Sequence, residues 1–442
     1  MQRTGPPRAH TLRDAVQALR SSYVDANPRS AERHELARRS MPGGNTRTTL
    51  YYEPFPLVFE RAEGAHLYSL DGRRYLDLLG DYTAGLYGHS HPVLVKALHA
   101  ALDEGVSFGG HTEREARFAA ELRRRFPALE LVRFTNSGTE ANLFALAAAR
   151  AHTGRSTVLV FRGGYHGGVL AFGQGGAPLN VPHRFLVGDY NDVDGAREII
   201  AEAGDDLAAV LVEPMLGSGG TIPGTPEFLR TLREETARAG ALLIFDEIMT
   251  SRLAPGGLQQ VLGITPDLTT LGKYLGGGMS FGAFGGRAGI MRGFDPSAPG
   301  PVWAHAGTFN NNTLTMAAGL AGLEHVLTDT ALDELNARGE RLRGRLRSVF
   351  TDADIPFTVT GRGSLMTFHP VPGPVGSPAD LTGADHAARE LLFFHLLEQG
   401  YWMARRAMVA LSLAISDTDC DGVVAAFEEF ADRYGAALRD PS

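Results

Sequence analysis

The sequence predicts an α/β fold, a mostly parallel doubly wound sheet with a smaller α+β unit, on three observations. From about residue 93 to residue 330, short apolar runs alternate with stretches of helical period, the order that parallel strands joined by crossover helices require. A hairpin pattern precedes that region. A long charged helix follows it, then strands and helices in a different rhythm. The length, 442 residues, allows about two or three folding units.

In chain order, residues 1–50 are polar and Arg-rich, with helical patches at 11–22 and 31–40 ending at Met41-Pro42-Gly43-Gly44. Segments 65–70 and 75–78 flank the turn pair Asp71-Gly72 and read as a hairpin. Helical period runs through 93–104 and 113–126. Strands are expected at 131–135, 157–161, 208–212, 241–246, 268–271 and 282–285, with helices such as 139–151 and 225–239 between several of them. In sheets of this kind ligands bind at the carboxyl ends of the strands. Past residue 330 come an amphipathic helix at 331–350, strands at 357–360, 364–369 and 409–414, and helices at 385–399 and 419–439. Segment 370–384 reads as a loose loop.

Charge and composition narrow the function. The 42 basic and 50 acidic side chains give a net charge of −8, which disfavours nucleic-acid backbones and anionic membranes as partners. The single cysteine, Cys420, excludes an internal disulfide and a thiol-rich zinc site. Residues 1–20 carry no apolar run of the signal-peptide kind, and stretches such as 207–212 and 241–245 are far too short to span a bilayer. A cytoplasmic, soluble protein is expected. Glycine is in excess, 54 of 442 residues, while proline stands at 24. Because glycine is entropically costly, the excess points to unusual dihedrals or a closely approached ligand.

Four segments at predicted strand ends carry chemistry. Thr135-Asn136-Ser137-Gly138-Thr139-Glu140 is a strand, a small-residue turn and a helix start, which reads equally as an anion cradle and as an ordinary N-cap. Asp246 and Glu247 end an apolar strand. A buried carboxylate there needs a cationic partner or ligand, and facing solvent is a more natural fate for Glu247 than for Asp246. Leu271-Gly272-Lys273 precedes Gly276-Gly277-Gly278 but is no P-loop, because Asp267 and Tyr274 occupy the positions that need glycine and serine or threonine. It suits either a lysine that holds a planar ligand covalently or a snorkelling surface lysine. Gly163-Gly164-Tyr165-His166-Gly167-Gly168 sets an aromatic among glycines, able to face a ring or simply to form a loop. The pair His89 and His91 reads as structural, with no acid at ligand spacing.

Together, Asn136–Asn142, Gly164-Tyr165-His166-Gly167, Asp246-Glu247-Ile248-Met249-Thr250, Leu271-Gly272-Lys273 and His305-Ala306-Gly307-Thr308-Phe309 resemble the class III pyridoxal-phosphate aminotransferases of fold type I over nearly the whole chain. Met41–Arg47, Asp246–Pro255 and Gly307–Asn312 carry a closer likeness to β-amino-acid (β-phenylalanine) aminotransferases, with glutamate-1-semialdehyde aminomutase a relative beside them. The resemblance implies an N-terminal segment (1–75) joining the small domain, a large cofactor domain (76–330) and a C-terminal small domain (331–442). It implies that Lys273 holds pyridoxal 5'-phosphate as an aldimine and moves the proton. Asp246 meets the ring nitrogen, and Ser137, Gly138 and Thr139 hold the phosphate. Tyr165 covers the ring, and Thr308 reaches the phosphate from the partner subunit of a homodimer. Arg47 and Arg406 match carboxylate-binding positions, with Arg405 leaving the second register open. Tyr82, Leu86, Met279, Phe281 and Trp402 are candidates for the rest of the pocket.

Three features depart from the aminomutase pattern. The 167–181 loop is about a dozen residues shorter than the gating loop that likeness implies, Ser251 replaces a glycine, and Ser280 replaces a proline. The expected reaction is therefore transfer from a β-amino acid to 2-oxoglutarate or pyruvate, with the aminomutase-like isomerisation as the alternative.

Overall fold

A computed structural model describes residues 11–173, 178–300 and 302–439. The start of the polar segment (1–10) and the middle of the shortened loop (174–177) lie outside the described residues. The strands in chain order are β1 (Phe59–Glu63), β2 (His66–Ser69), β3 (Arg74–Asp77), β4 (Leu131–Thr135), β5 (Thr157–Phe161), β6 (Arg184–Gly188) and β7 (Leu207–Val212). They continue with β8 (Leu242–Asp246), β9 (Leu268–Gly272), β10 (Gly282–Gly286), β11 (Thr358–Arg362), β12 (Leu365–His369), β13 (Tyr401–Trp402) and β14 (Met408–Ala410).

Seven strands form the large sheet in the order β4-β10-β9-β8-β7-β5-β6. All its pairs are parallel except the two made by β10, which runs antiparallel to both neighbours. Apolar residues at every position of β7, and at every position of β5 after Thr157, are explained by burial on both faces. Val158 and Val160 pack beneath the helix Gly138–Thr153, while Leu159 and Phe161 pack toward the helices Val193–Ala203 and Pro226–Ala239. Asp192 and Thr225 cap those two helices through their side chains.

The antiparallel sheet β11-β12-β14 lies under the long helices Asp329–Asp352 and Asp417–Arg439. The hairpin expected around Asp71-Gly72 is present as β2 and β3, extended by β1 on one side and by β13, in parallel, on the other. The N-terminal helix Leu12–Ala26 packs on His386–Glu398, its Tyr23 ring edge-on to Phe394. Both ends of the chain thus share one core.

The structure differs from expectation at short, mixed-polarity strands. β1 and β13 carry no apolar run and that of β6 is only Phe185–Val187; β6 pairs with β5 and β13 with β3, both distant in sequence, whereas β1 pairs with the adjacent β2. The strand expected at 409–414 stops at Ala410. Beyond it Leu411 N–H bonds the Ser364 carbonyl and Leu413 N–H bonds the Leu86 carbonyl, which ties the backbone irregularly to two other segments.

Candidate active site

Five strand ends deliver side chains into one cavity of about 660 Å3: Ser137 after β4, Tyr165 and His166 after β5, Glu213 after β7, Asp246 at the end of β8 and Lys273 after β9. The sheet order brings these ends together although Ser137 and Lys273 stand 136 positions apart in sequence.

Lys273 stands at the start of a 3-10 turn with φ +56, a left-handed conformation rare for a side-chain-bearing residue and common at functional sites. Its ammonium makes no hydrogen bond among the described residues. Burial brings its pKa down to about 8. Asp246 and Glu213 oppose that shift, while the Arg406 and Arg252 charges reinforce it. A neutral amine, the nucleophilic form, is therefore accessible near physiological pH.

Asp246 is 4% exposed and fully engaged. Its Oδ2 accepts 2.8 Å from Asn142 Nδ2 and stands 2.8 Å from His166 Nδ1, while Oδ1 accepts from the Ile248 N–H at 3.1 Å. The Thr270 hydroxyl donates to Asn142 Oδ1 at 2.8 Å and fixes that amide in turn. Glu247 departs from expectation: it is fully buried and accepts from the Thr250 hydroxyl and the Leu258 and Gln259 N–H groups. The chain folds back over it in the helix Gly257–Leu262, whose first N–H groups need an acceptor.

At the β4 end both readings of the turn are realised. The Ser137 hydroxyl caps the helix by accepting from the Glu140 N–H at 3.2 Å, while the Gly138 and Thr139 N–H groups have no partner among the described residues. They face the cavity at a helix N-terminus, an anion site by geometry and dipole. A Cβ on Gly138 would collide with Ile248 Cδ1, and one on Gly167 with Thr139 Oγ1, so glycine is required where the backbone closes on the cavity. Free N–H donors, an unbonded buried amine and a fixed carboxylate fit the phosphate, aldehyde and ring nitrogen of pyridoxal phosphate.

The arginines sit at the outer wall. Arg47 Nη1 is 2.7 Å from Asp81 Oδ1. The guanidinium of Arg406, not that of Arg405, faces the cavity; Arg405 pairs with Glu390, which also holds Arg20. Arg406 has no carboxylate partner among the described residues. Nη2 rests 3.1 Å from Met408 Sδ, Nε is buried without an acceptor, and burial holds the guanidinium below its usual pKa. The Tyr82 ring lies 5.3 Å from the Arg47 Cζ and 5.0 Å from the Arg406 Cζ.

Other expected residues fall in different places. Met279 and Phe281 line the cavity with Tyr82, whereas Leu86 is fully buried in the core and Trp402 lines a neighbouring cavity of about 340 Å3. Thr308 is exposed on a surface turn and does not line this chain's own cavity. His89 bonds Asp77 at 2.9 Å, and His91 caps the helix Pro92–Glu104.

Sequence reasoning missed Glu213, whose Oε1 accepts from the Tyr165 N–H at 2.9 Å and whose Oε2 accepts from the Gly217 N–H at 2.8 Å. Burial pushes its pKa up to about 7, with Asp246 adding to the rise. The signal was present: like Asp246, Glu213 is the first acid at the end of an apolar strand. His166, Asn142 and Asp81 were likewise given no role.

A family model described as "Aminotransferase class-III" matches residues 49–174 and 181–429. The chain is 52% identical over 425 residues to "Beta-phenylalanine transaminase" of Variovorax paradoxus, covering 96% of this chain and 98% of that protein. A solved β-phenylalanine aminotransferase from Variovorax paradoxus superposes with a TM-score of 0.95 at 51% identity, covering 97% of this chain and 99% of that one. "Glutamate-1-semialdehyde 2,1-aminomutase" of Rhodopirellula baltica is 38% identical over 424 residues, covering 91% and 96%. Strand-end lysine and aspartate, anion cradle and whole-chain likeness agree: this chain is an enzyme that belongs to the class III aminotransferases, which use pyridoxal phosphate.

Proposed function

We propose that the enzyme transfers an amino group from a β-amino acid, aryl- or alkyl-substituted as in β-phenylalanine, to a 2-oxo acid, 2-oxoglutarate or pyruvate. The observation that carries this reading is Arg406, a cavity-facing guanidinium without a carboxylate partner among the described residues, set among apolar walls that include Met249, Met279, Phe281 and Met408. A substrate carboxylate would supply the missing counter-charge, and the apolar walls would take the side chain. The activity of the Variovorax relative supports the same substrate class.

Pyridoxal phosphate, when bound, supplies an aldehyde for amine exchange and a ring that accepts the electron pair left by deprotonation. Lys273 would hold it covalently, be released by the substrate amine, and then take and return the proton at the substrate carbon. Asp246, fixed by Asn142 and His166, would accept the ring N–H and keep the ring cationic. Ser137 and the free N–H groups of Gly138 and Thr139 would hold the phosphate, and Tyr165, anchored through its own N–H by Glu213, would cover the ring. The exposed position of Thr308 supports a contribution to the site of a second copy, and hence a homodimer. A cytoplasmic location is proposed on the single cysteine.

The test is a half-reaction. β-Phenylalanine added without acceptor discharges the absorbance band of the lysine-bound cofactor, and a 2-oxo acid restores it. In Lys273→Ala neither band nor turnover is expected. A band untouched by β-phenylalanine, with glutamate-1-semialdehyde isomerised alone, refutes the proposal in favour of the isomerase.

A further inference from the structure

We infer that Asn310 is a positioning residue for the cofactor phosphate: bonded to Asn136, it ties the phosphate cradle to the loop that carries Thr308. Each copy of the chain thus steadies, from its own cradle, the threonine it lends to the other. This rests on the homodimer reading above, in which Thr308 serves the cofactor of a second copy.

The bonding leaves one orientation for each amide. The Glu140 carboxylate, in the first turn of the helix Gly138–Thr153, accepts from the Asn136 N–H at 3.0 Å and from Asn136 Nδ2 at 3.3 Å. An ionised carboxylate can only accept, so the atom facing it is the donor end of the Asn136 amide. That same Nδ2 also donates to Asn310 Oδ1 at 2.9 Å. Asn310 Nδ2 is then left facing His305 Nε2 at 3.3 Å, which must accept. Burial, reinforced by the Arg133 charge, holds the His305 pKa below its ordinary value, so the ring is neutral and Nε2 can be the bare nitrogen.

His305 and Asn310 bracket Thr308 in sequence, and both are fastened to that one helix or its first turn. The His305 ring stands edge-on to Phe144 of the helix, with centroids 4.3 Å apart. The Asn310 N–H closes the turn on the Gly307 carbonyl at 3.1 Å. Glycine is required at 307, because a Cβ there would fall 2.3 Å from Asn310 Oδ1 and push the amide away from Asn136. The helix that holds both ends of the turn is the one whose free Gly138 and Thr139 N–H groups form the cradle, while Thr308 stays exposed between the two anchors. A hydroxyl on a tethered turn gives up less freedom on meeting a phosphate than one on a loose loop, so the tether strengthens the phosphate contact without touching the phosphate.

The test compares pyridoxal phosphate with pyridoxal, which carries the same aldehyde and ring but no phosphate. Each is titrated into the full-length apoenzyme and read by the lysine-bound absorbance band. Asn310→Ala should weaken pyridoxal phosphate about tenfold, the worth of one well-placed bond to a charged group, and pyridoxal by less than about twofold. Gly307→Ala, which removes no hydrogen-bonding group but displaces the Asn310 amide, should give the same split. Thr308→Val should match Asn310→Ala. The double variant of Thr308→Val and Asn310→Ala should be no weaker than either single, because Asn310 acts through Thr308. Equal losses for the two ligands in Asn310→Ala would mark a merely structural residue and overturn the inference. Losses that add in the double variant, or wild-type binding in Gly307→Ala, overturn it as well. Sedimentation of the wild-type holoenzyme as a monomer would instead refute the homodimer reading itself, and the inference with it.

Discussion

Replacing Arg406 by leucine separates recognition from stability, because the two effects have opposite signs. The guanidinium is largely buried, its Nε has no acceptor, and its nearest side-chain contact is the Met408 sulfur at 3.1 Å. In the ligand-free enzyme this is an under-satisfied buried cation, and leaving one buried polar group unpaired costs about 1–3 kcal/mol. Removing it should raise the folding stability by roughly 1 kcal/mol, read as a higher denaturant midpoint at unchanged slope. In the complex the same group would pair with a carboxylate, and truncating one partner of a buried pair costs about 3–5 kcal/mol. The expected loss in kcat/KM for β-phenylalanine is therefore roughly two to three and a half orders of magnitude. An arylalkylamine of similar shape but without the carboxylate makes no such pair, and its kcat/KM should stay within about threefold. The assay is the single-turnover half-reaction with both donors, beside denaturant titration of the two proteins. An equal loss for both donors would place Arg406 in the framework of the pocket and refute the argument.

Other consequences follow from the buried titratable groups. With the Lys273 pKa at about 8, the rate of cofactor capture by the apoenzyme should rise with pH up to about 8 and then level. At pH 8 an unshifted lysine would be neutral about two orders of magnitude less often. Glu213→Gln removes a charge that raises the Lys273 pKa and should move that limb to lower pH, whereas Arg406→Leu should move it higher. Parallel shifts in the two variants would contradict the electrostatic account. His369 is buried, with Nε2 3.1 Å from the Gly220 carbonyl and 2.8 Å from the Thr360 hydroxyl, and its pKa is lowered to about 4. Between about pH 6.5 and 4 the unfolded chain binds the extra proton and the folded chain does not, so this contribution is complete above 6.5 and is lost as pH falls. Wild type should lose roughly 2 kcal/mol more than His369→Gln between pH 7 and pH 5, by denaturant titration.

Much of the site could be read in the sequence because its chemistry is local. Asp246 and Lys273 each end an apolar run, and the turn from Asn136 to Thr139 carries its own cap and donors. Strands such as β7, apolar throughout, and β5, apolar from Val158 on, identify themselves in the same way. What escaped is what depends on partners distant in sequence. β13, two residues long, exists because Tyr401 and Trp402 pair with Leu76 and Asp77. Glu247 reads as an exposed acid until the helix start at 257–259 folds over it. Glu213 matches the Asp246 pattern, yet nothing in its neighbourhood says that it must hold the Tyr165 backbone, 48 positions away.

The choice between Arg405 and Arg406 shows how tertiary context resolves what spacing cannot. The two are adjacent and chemically identical, so an ordinary strand would send them to opposite faces and leave the assignment even. Two features break the tie. Glu390, on the helix His386–Glu398, lies within reach of Arg405 and also takes Arg20, giving that guanidinium a satisfied place away from the cavity. Ala407 then adopts φ +63, a sharp turn that starts β14 and leaves Arg406 directed at Tyr82 and Met408. The carboxylate reader is therefore specified by its neighbour's salt bridge as much as by its own position. Glu390→Gln should weaken the hold on Arg405 and allow the two arginines to compete for the cavity. The measurable sign would be a lower preference for β-phenylalanine over the carboxylate-free amine with the cofactor band intact. An unchanged preference would mean that the turn at Ala407 fixes the register alone.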